Sequence, residues 1–382
     1  MTNPYLDTLA TAVATVVFIC VSSYGVGWLA RGIAKVTGAS LAKQERTFAG
    51  YLFAAPWIVG FIIFVVGPLV LSLYWSFTNF RLGAKTPMQV VGVANYSHLF
   101  QDQGFRASLV NTFYLVVVGL PLQIAVALFL AILLNQNMRG ERVFRMAFYL
   151  PVILGYNSAV VLTWRLMLNT GTGIINQLLR AASRAFPPFG YLVRVGMFVQ
   201  EVTAALFLGL SSGKYNLLHR TLEAGLPAAN RLPMWVESPL WSKVSVVLLM
   251  IWGCGIMMLI FLAGLKNIPR ELLEAAEVDG AGSGQRFWKI TFPLLTPYIF
   301  YNLVVGMINT LQIFEPIYVL YRDNQPLAPS AISMVYYLWQ STFRHFEIGY
   351  GAAISWVILV LIALVTLVQF LVQNKWVTYE LY

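Results

Sequence analysis

Seven times along this 382-residue chain the sequence runs apolar for about 20 residues or more with at most one charge. The stretches are 8 to 30, 48 to 77, 109 to 134, 146 to 168, 242 to 264, 294 to 320 and 351 to 373. A helix on a soluble surface interrupts its apolar positions every three or four residues so that one face meets water. That interruption is missing here, so the runs are read as membrane spans. In lipid every backbone N–H and C=O has to be satisfied within the protein, which leaves helices or closed barrels, and runs of this length are helices. An all-α polytopic membrane protein is expected. The composition agrees: 59% apolar, 10% charged, mean hydropathy +0.71.

A net charge of +10 would suit nucleic acid if it were gathered on one soluble surface, but the spans divide it. With 31 to 47, 135 to 145, 266 to 289 and 374 to 382 in the cytoplasm, those segments carry about 12 Lys and Arg in about 60 residues. The other side carries about 11 in about 140. This bias places the N-terminus outside and the C-terminus inside, and no nucleic-acid partner is expected. No Lys or Arg precedes the first run, while Arg31, Lys35, Lys43 and Arg46 follow it, so it is read as a retained helix. The domain expectation is an N-terminal helix and basic linker at 1–47, a membrane domain at 48–373 and a tail at 374–382. Cys20 and Cys254 read as small apolar fillers. His98, His219 and His345 lack companions at ligand spacing, so no metal site is expected.

Between the fourth and fifth runs lies a long segment punctuated by Pro187, Pro188, Pro227, Pro233 and Pro239, read as a small external subdomain. Within it, residues 191 to 210 are long enough to span. Arg194 and Glu201 share one helical face there, so the segment is read as amphipathic and outside the membrane. A spanning alternative would invert the side of everything after it, against the charge bias. Trp235 and Trp241 are expected in an aromatic belt at the membrane interface.

The stretch "IPRELLEAAEVDG", 268 to 280, reads as a complete short cytoplasmic helix: Pro269 at its first position, Glu271 near its positive end, Gly280 as left-handed cap. Ile268, Leu272, Ala275 and Ala276 are expected on one face, and Arg270, Glu274 and Glu277 on another.

"EAAEVDGAGSGQRFWKITFP", 274 to 293, resembles the EAA loop of permease subunits of bacterial binding-protein-dependent ABC importers. Glu274, Ala275, Ala276, Gly280, Ile290 and Pro293 match at full spacing, with Phe292 in place of the usual Leu. "AAPWIVGFIIFVVGPLVLSLYWSFTNF", "VGVANYSHLF", "FRMAFYLP" and "FEPIYVLY" extend the resemblance over roughly 50 to 373, with the flavour of the maltose-type sugar permeases. The departures are "RDNQP", where the family has a stretch ending in Gly-Gly-Pro, and an insertion at about 181 to 230.

The resemblance implies a six-helix permease core with one additional N-terminal transmembrane helix, in the bacterial inner membrane. It implies that the EAA loop, 266 to 293, is a coupling helix docking on a cytoplasmic ATPase. The implied partners are two ATP-binding subunits, a second permease subunit, an extracytoplasmic solute-binding protein and a sugar-like substrate. The chain itself has no G-x4-G-K-[ST] loop: "GAGSG" lacks a following lysine, and "SGKY" has Tyr where a hydroxyl ligand to magnesium is needed. No cofactor is therefore expected on this chain, with ATP and magnesium used by the partner ATPase, and no enzyme activity of its own. The family's substrate site falls on the helices flanking the coupling loop, at Trp252, Gly253, Gly306, Asn309 and Thr310, with Gln312 and Asn157 as weaker candidates. An aromatic ring packs on sugar C–H faces and amides bind hydroxyls. On residues alone, a secondary transporter or a membrane scaffold stays open; the first needs buried ionisable groups for coupling, and few are present.

Overall fold

The structure, a computed structural model, describes residues 4–85, 87–136, 140–155, 158–212, 216–227, 232–236, 238–321 and 328–378. Among them the regular structure is helical throughout. The chain divides into two compact units, Met1–Thr78 and Asn79–Tyr382.

In the first unit α1 (Pro4–Val36) and α2 (Leu41–Ser76) form a hairpin. Small residues set its spacing: a Cβ at Gly27 would sit 3.1 Å from the Phe48 ring, and Tyr24 meets that ring edge-on at 5.6 Å. The compact boundary therefore falls after the second apolar run, which packs on the N-terminal helix. Beyond this contact α2 exposes Phe53, Trp57 and Phe64, as a lipid-bathed helix does.

Proline does not end the long helices: Pro56 and Pro297 sit inside them, and elsewhere the helix widens by one residue first. In three places a π turn precedes a proline: Ile62–Val66 before Pro68, Leu115–Gly119 before Pro121, and Phe287–Thr291 before Pro293. The N–H of the residue just before each proline bonds five residues back, to Ile62, Leu115 and Phe287.

The second unit contains α3 (Ala94–Gln101), α4 (Gln103–Leu134), α5 (Glu141–Leu154), α6 (Ser158–Met167), α7 (Ile174–Ala185) and α8 (Pro187–Ser212). It continues with α9 (Asn216–Ala224), α10 (Ser242–Trp252), α11 (Gly255–Lys266), α12 (Arg270–Val278), α13 (Ser283–Leu311), α14 (Glu315–Tyr321), α15 (Met334–Trp339) and α16 (Ile348–Gln373). By length and apolarity five helical stretches among the described residues are able to cross a membrane, or up to seven if α5–α6 and α10–α11 each count as one span. Three of the expected continuous runs are thus broken. The 146 to 168 run breaks at Gly155, the 242 to 264 run at Gly253 and Cys254, and the 294 to 320 run after Leu311, where Pro316 suits only the first turn of a new helix.

The 181 to 230 region is helical where described, and it corrects the expectation for the tryptophans. Trp235 and Trp241 are buried, stacked edge-on at 5.1 Å, and donate to Asn176 Oδ1 (2.9 Å) and Glu201 Oε1 (3.2 Å). They serve as the core of the subdomain because their N–H groups find buried acceptors there, which an interfacial position would not require. Below it, α4, α11 and α13 pack through Ala127, Ala131, Met258, Phe261 and Leu295. A third cluster joins α4 to α15 and α16. There Asp102, the N-cap of α4, accepts from Gly104 N (2.8 Å), Tyr350 Oη (2.5 Å) and Tyr337 Oη. Burial works to raise the Asp102 pKa, but these hydrogen bonds outweigh it and hold the carboxyl below its usual range.

Candidate functional site: a broken-helix cavity and a capped turn

The break between α10 and α11 bends the pair by 45°. Cys254 N bonds to Ile251 O at 3.1 Å, a tighter turn that takes away the helical donor Met250 O would otherwise receive. Gln123 of α4 replaces it, donating Nε2–H to Met250 O at 2.7 Å. Asn302 of α13 reaches Met257 O at 3.4 Å. Irregular backbone at membrane depth is tolerated where it is buried in protein or lines a cavity. Here it lines one of about 590 Å³, walled also by α13, the turn Gln312–Pro316 and the end of α5.

Gly253, Gly306, Asn309 and Thr310 all line this cavity, as does Gln312. Trp252 is not among the lining residues; it packs edge-on against Trp164 of α6, at 6.0 Å, because the break turns the last residue of α10 that way. Asn157 lies outside the described residues. The four expected positions also differ from one another. Gly306 and Thr310 are buried between helices, and a Cβ at Gly306 would lie 2.5 Å from Leu120 Cδ1, so that glycine permits close packing. Asn309 is exposed to the cavity, on the same face as Val305 and Tyr301, four and eight residues earlier. Tyr301 supplies the aromatic ring that Trp252 does not. Counting back from Asn309 at helical spacing would have found it. Gln123 and Glu315 also line the cavity, and nothing in their local sequence announces it.

At the other end of α13 the capped turn is built as its residues dictate. Gly280 has φ +81, Gly280 N bonds to Glu277 O at 3.0 Å, and Ala281 N bonds to Ala276 O at 2.8 Å: a complete Schellman closure. Arg286 Nη1 pairs with Glu277 Oε2 at 2.7 Å, tying the turn to the start of α13. Pro269 is the residue before the helix, with ψ 130, and not its first member. Ile268 is therefore out of helical register and packs in the α4–α11–α13 core with Leu273, while Leu272, Glu274 and Ala275 remain exposed. Ala276, Gly280 and Ile290 line a hollow of about 500 Å³, with Arg286 and Lys289. Pro293 opens the regular part of α13 after its π turn.

A family model described as "Binding-protein-dependent transport system inner membrane component" matches residues 100–377. The chain belongs to this permease family. It is 36% identical over 349 residues to the probable ABC transporter permease protein YesP of Bacillus subtilis strain 168, covering 90% of this chain and 97% of that one. It is 30% identical to the arabinooligosaccharides transport system permease protein AraP of the same organism, over 88% and 92% of the two chains. It is 28% identical to the lactose transport system permease protein LacF of Rhizobium radiobacter, over 87% and 97%. The fold matches a chain in the crystal structure of a bacterial alginate ABC transporter in complex with an alginate pentasaccharide-bound periplasmic protein, with TM-score 0.65, 20% identity, and 87% and 96% coverage. A transport permease is thus shown, which sets aside the scaffold and secondary-transporter alternatives.

Proposed function

We propose that this permease is one membrane subunit of an ABC importer for a sugar, oligosaccharide or sugar derivative. The transport systems of its relatives AraP and LacF, for arabinooligosaccharides and lactose, support the sugar class. The observation that carries the mechanism is that a single helix, α13, starts at the capped turn and ends in the cavity wall. It has 29 residues and is about 43 Å long.

In this reading α12 docks on a separate cytoplasmic ATPase through Leu272, Glu274 and Ala275, with Glu274 offered to a basic group. ATP and magnesium belong to that partner. Closure of two ATP-binding subunits shifts α12, and the Schellman closure and the Arg286–Glu277 pair pass the shift to α13 as a rigid movement. Asn309, Tyr301 and Gln312 hold the solute by amide and hydroxyl groups against the Tyr301 ring, with Gly253, Gly306 and Thr310 shaping the wall behind them, while a second permease closes the other side of the pathway. An extracytoplasmic binding protein delivers the solute, with the chain's N-terminus outside and α12 and the C-terminus in the cytoplasm.

Purification of the tagged chain from its native membrane, with mass identification of partners, tests this. An ATPase and a second permease that co-purify with wild type and weaken with Glu274→Lys are the expected result. A stable chain recovered without any ATPase sinks the proposal.

A further inference from the structure

Helix α8 is apolar on both faces, with Met197, Ala204 and Ala205 buried inward. Its polar side chains turn inward or onto its own backbone and are satisfied there. Arg194 Nε donates to Pro227 O (2.8 Å), Gln200 Nε2 to Leu240 O (3.2 Å) and Thr203 Oγ1 to Val199 O (2.8 Å), and Glu201, 4% exposed, accepts from Trp241 Nε1. The outward face is apolar as well: Leu192, Val199 and Leu206 are exposed at seven-residue intervals, with Gly196 between them. Two turns of helix per seven residues make this a continuous stripe. Neighbouring α7 is mixed, exposing Gln177, Arg180 and Arg184 beside Ile174 and Leu178.

A face of this kind is stable where the surroundings are as apolar as the stripe, and satisfied polar groups are the condition lipid imposes. The C-terminal part of α8 also packs alongside a membrane-spanning helix. Phe207 of α8 packs edge-on against Tyr114 of α4 at 5.0 Å, beside Phe113 and Val117, which α4 exposes.

We propose that the outer face of α8 lies against lipid acyl chains, so that the 181 to 230 insertion is partly embedded in the membrane while α7 presents its arginines to headgroups and water. Lipid is the occupant because the Leu206 end of the stripe sits next to Phe207, which packs on Tyr114 within the membrane-spanning helix α4 (Gln103–Leu134). The sequence-based reading of 191 to 210 as wholly external is changed by this, since the charges that argued for it are hidden inside the subdomain.

The test uses the assembled transporter, purified through a tag on this chain and reconstituted in liposomes. Single spin labels are placed at Val199 and Leu206 in a Cys20→Ser, Cys254→Ala background, with Val117 and Arg184 as lipid and water references. The expected result is collision with oxygen several-fold in excess over collision with a water-soluble nickel chelate at both positions, as at Val117 and reversed from Arg184. Nickel access equal to that at Arg184 overturns the proposal in favour of water. Low access to both reagents overturns it in favour of a protein partner. Each variant is first required to elute with its partners as wild type does, so a misfolded protein is not scored.

Discussion

At its first turns α13 belongs to a motif written in 20 consecutive residues, whereas at its last turns it borders a cavity whose other walls come from α4, α5 and the α10–α11 break. The capped turn is closed by backbone bonds spanning three and five positions and a salt bridge spanning nine. The cavity depends on Gln123 reaching Met250, 127 positions away, and on Asn302 reaching Met257. One end of the lever is therefore a local device that any chain with those residues would form. The other exists only when distant helices meet, and its solute-facing side is set by how they meet.

The sharpest way to break this contrast is Gly280→Val. A β-branched residue at φ +81 is strained by about 1 to 3 kcal/mol, and the closure of α12 is lost with it. Uptake and the co-purifying ATPase are expected to fall by roughly tenfold or more, with the chain still present in the membrane and its thermal midpoint little changed. Full uptake in this variant would remove the turn from the mechanism.

Gln123→Leu probes the other end. Leaving Met250 O without a donor costs about 1 to 3 kcal/mol, so the thermal midpoint should fall while ATPase association persists. An unchanged midpoint would mean the broken backbone needs no support from α4.

A smaller effect separates residues within the cavity. Asn309→Ala should raise the half-saturating solute concentration about three- to tenfold, for the loss of about 1 kcal/mol of hydrogen bonding, with stability intact. Thr310→Ala, being buried, should lower stability and leave the half-saturation nearly unchanged. The opposite pattern would reassign the lining face.

The smallest is a control outside both regions. Asp102→Asn should lower the thermal midpoint by a few degrees, because a carboxylate that accepts two tyrosine hydroxyls is replaced by a weaker acceptor. Its folded pKa is depressed, so its contribution is complete above the unfolded value near 3.8 and is lost only as pH falls through the still lower folded one. Between pH 5 and 8 the midpoint difference between wild type and variant should stay flat; a slope there would mean the carboxyl is not held ionised.

How much could be read from the chain follows from the range of the interactions. The Gly280 cap, the exposed Glu274 and the role of Asn309 as a cavity residue were all legible, because helical spacing and turn chemistry act over a few residues. Trp252 was misplaced by a break only two residues long, since bending a helix by 45° redirects the side chain at its end. Trp235 and Trp241 were misplaced because their acceptors, Asn176 and Glu201, lie 59 and 40 positions away. Tyr301 was legible in principle, two helical turns before Asn309 on the same face, and was not named.

The chain's apolar runs by themselves determined that it is helical and spans a membrane, because an unpaired backbone in lipid is too costly for any other outcome. The spacing from Glu274 to Pro293 by itself determined a capped turn at the start of a long helix. Only the tertiary structure decided where the helices break, which face of α13 is open, and that the charges of α8 point inward. Those outcomes depend on groups brought together from distant parts of the chain, and a polar group's partner, unlike its helical neighbours, is not written beside it.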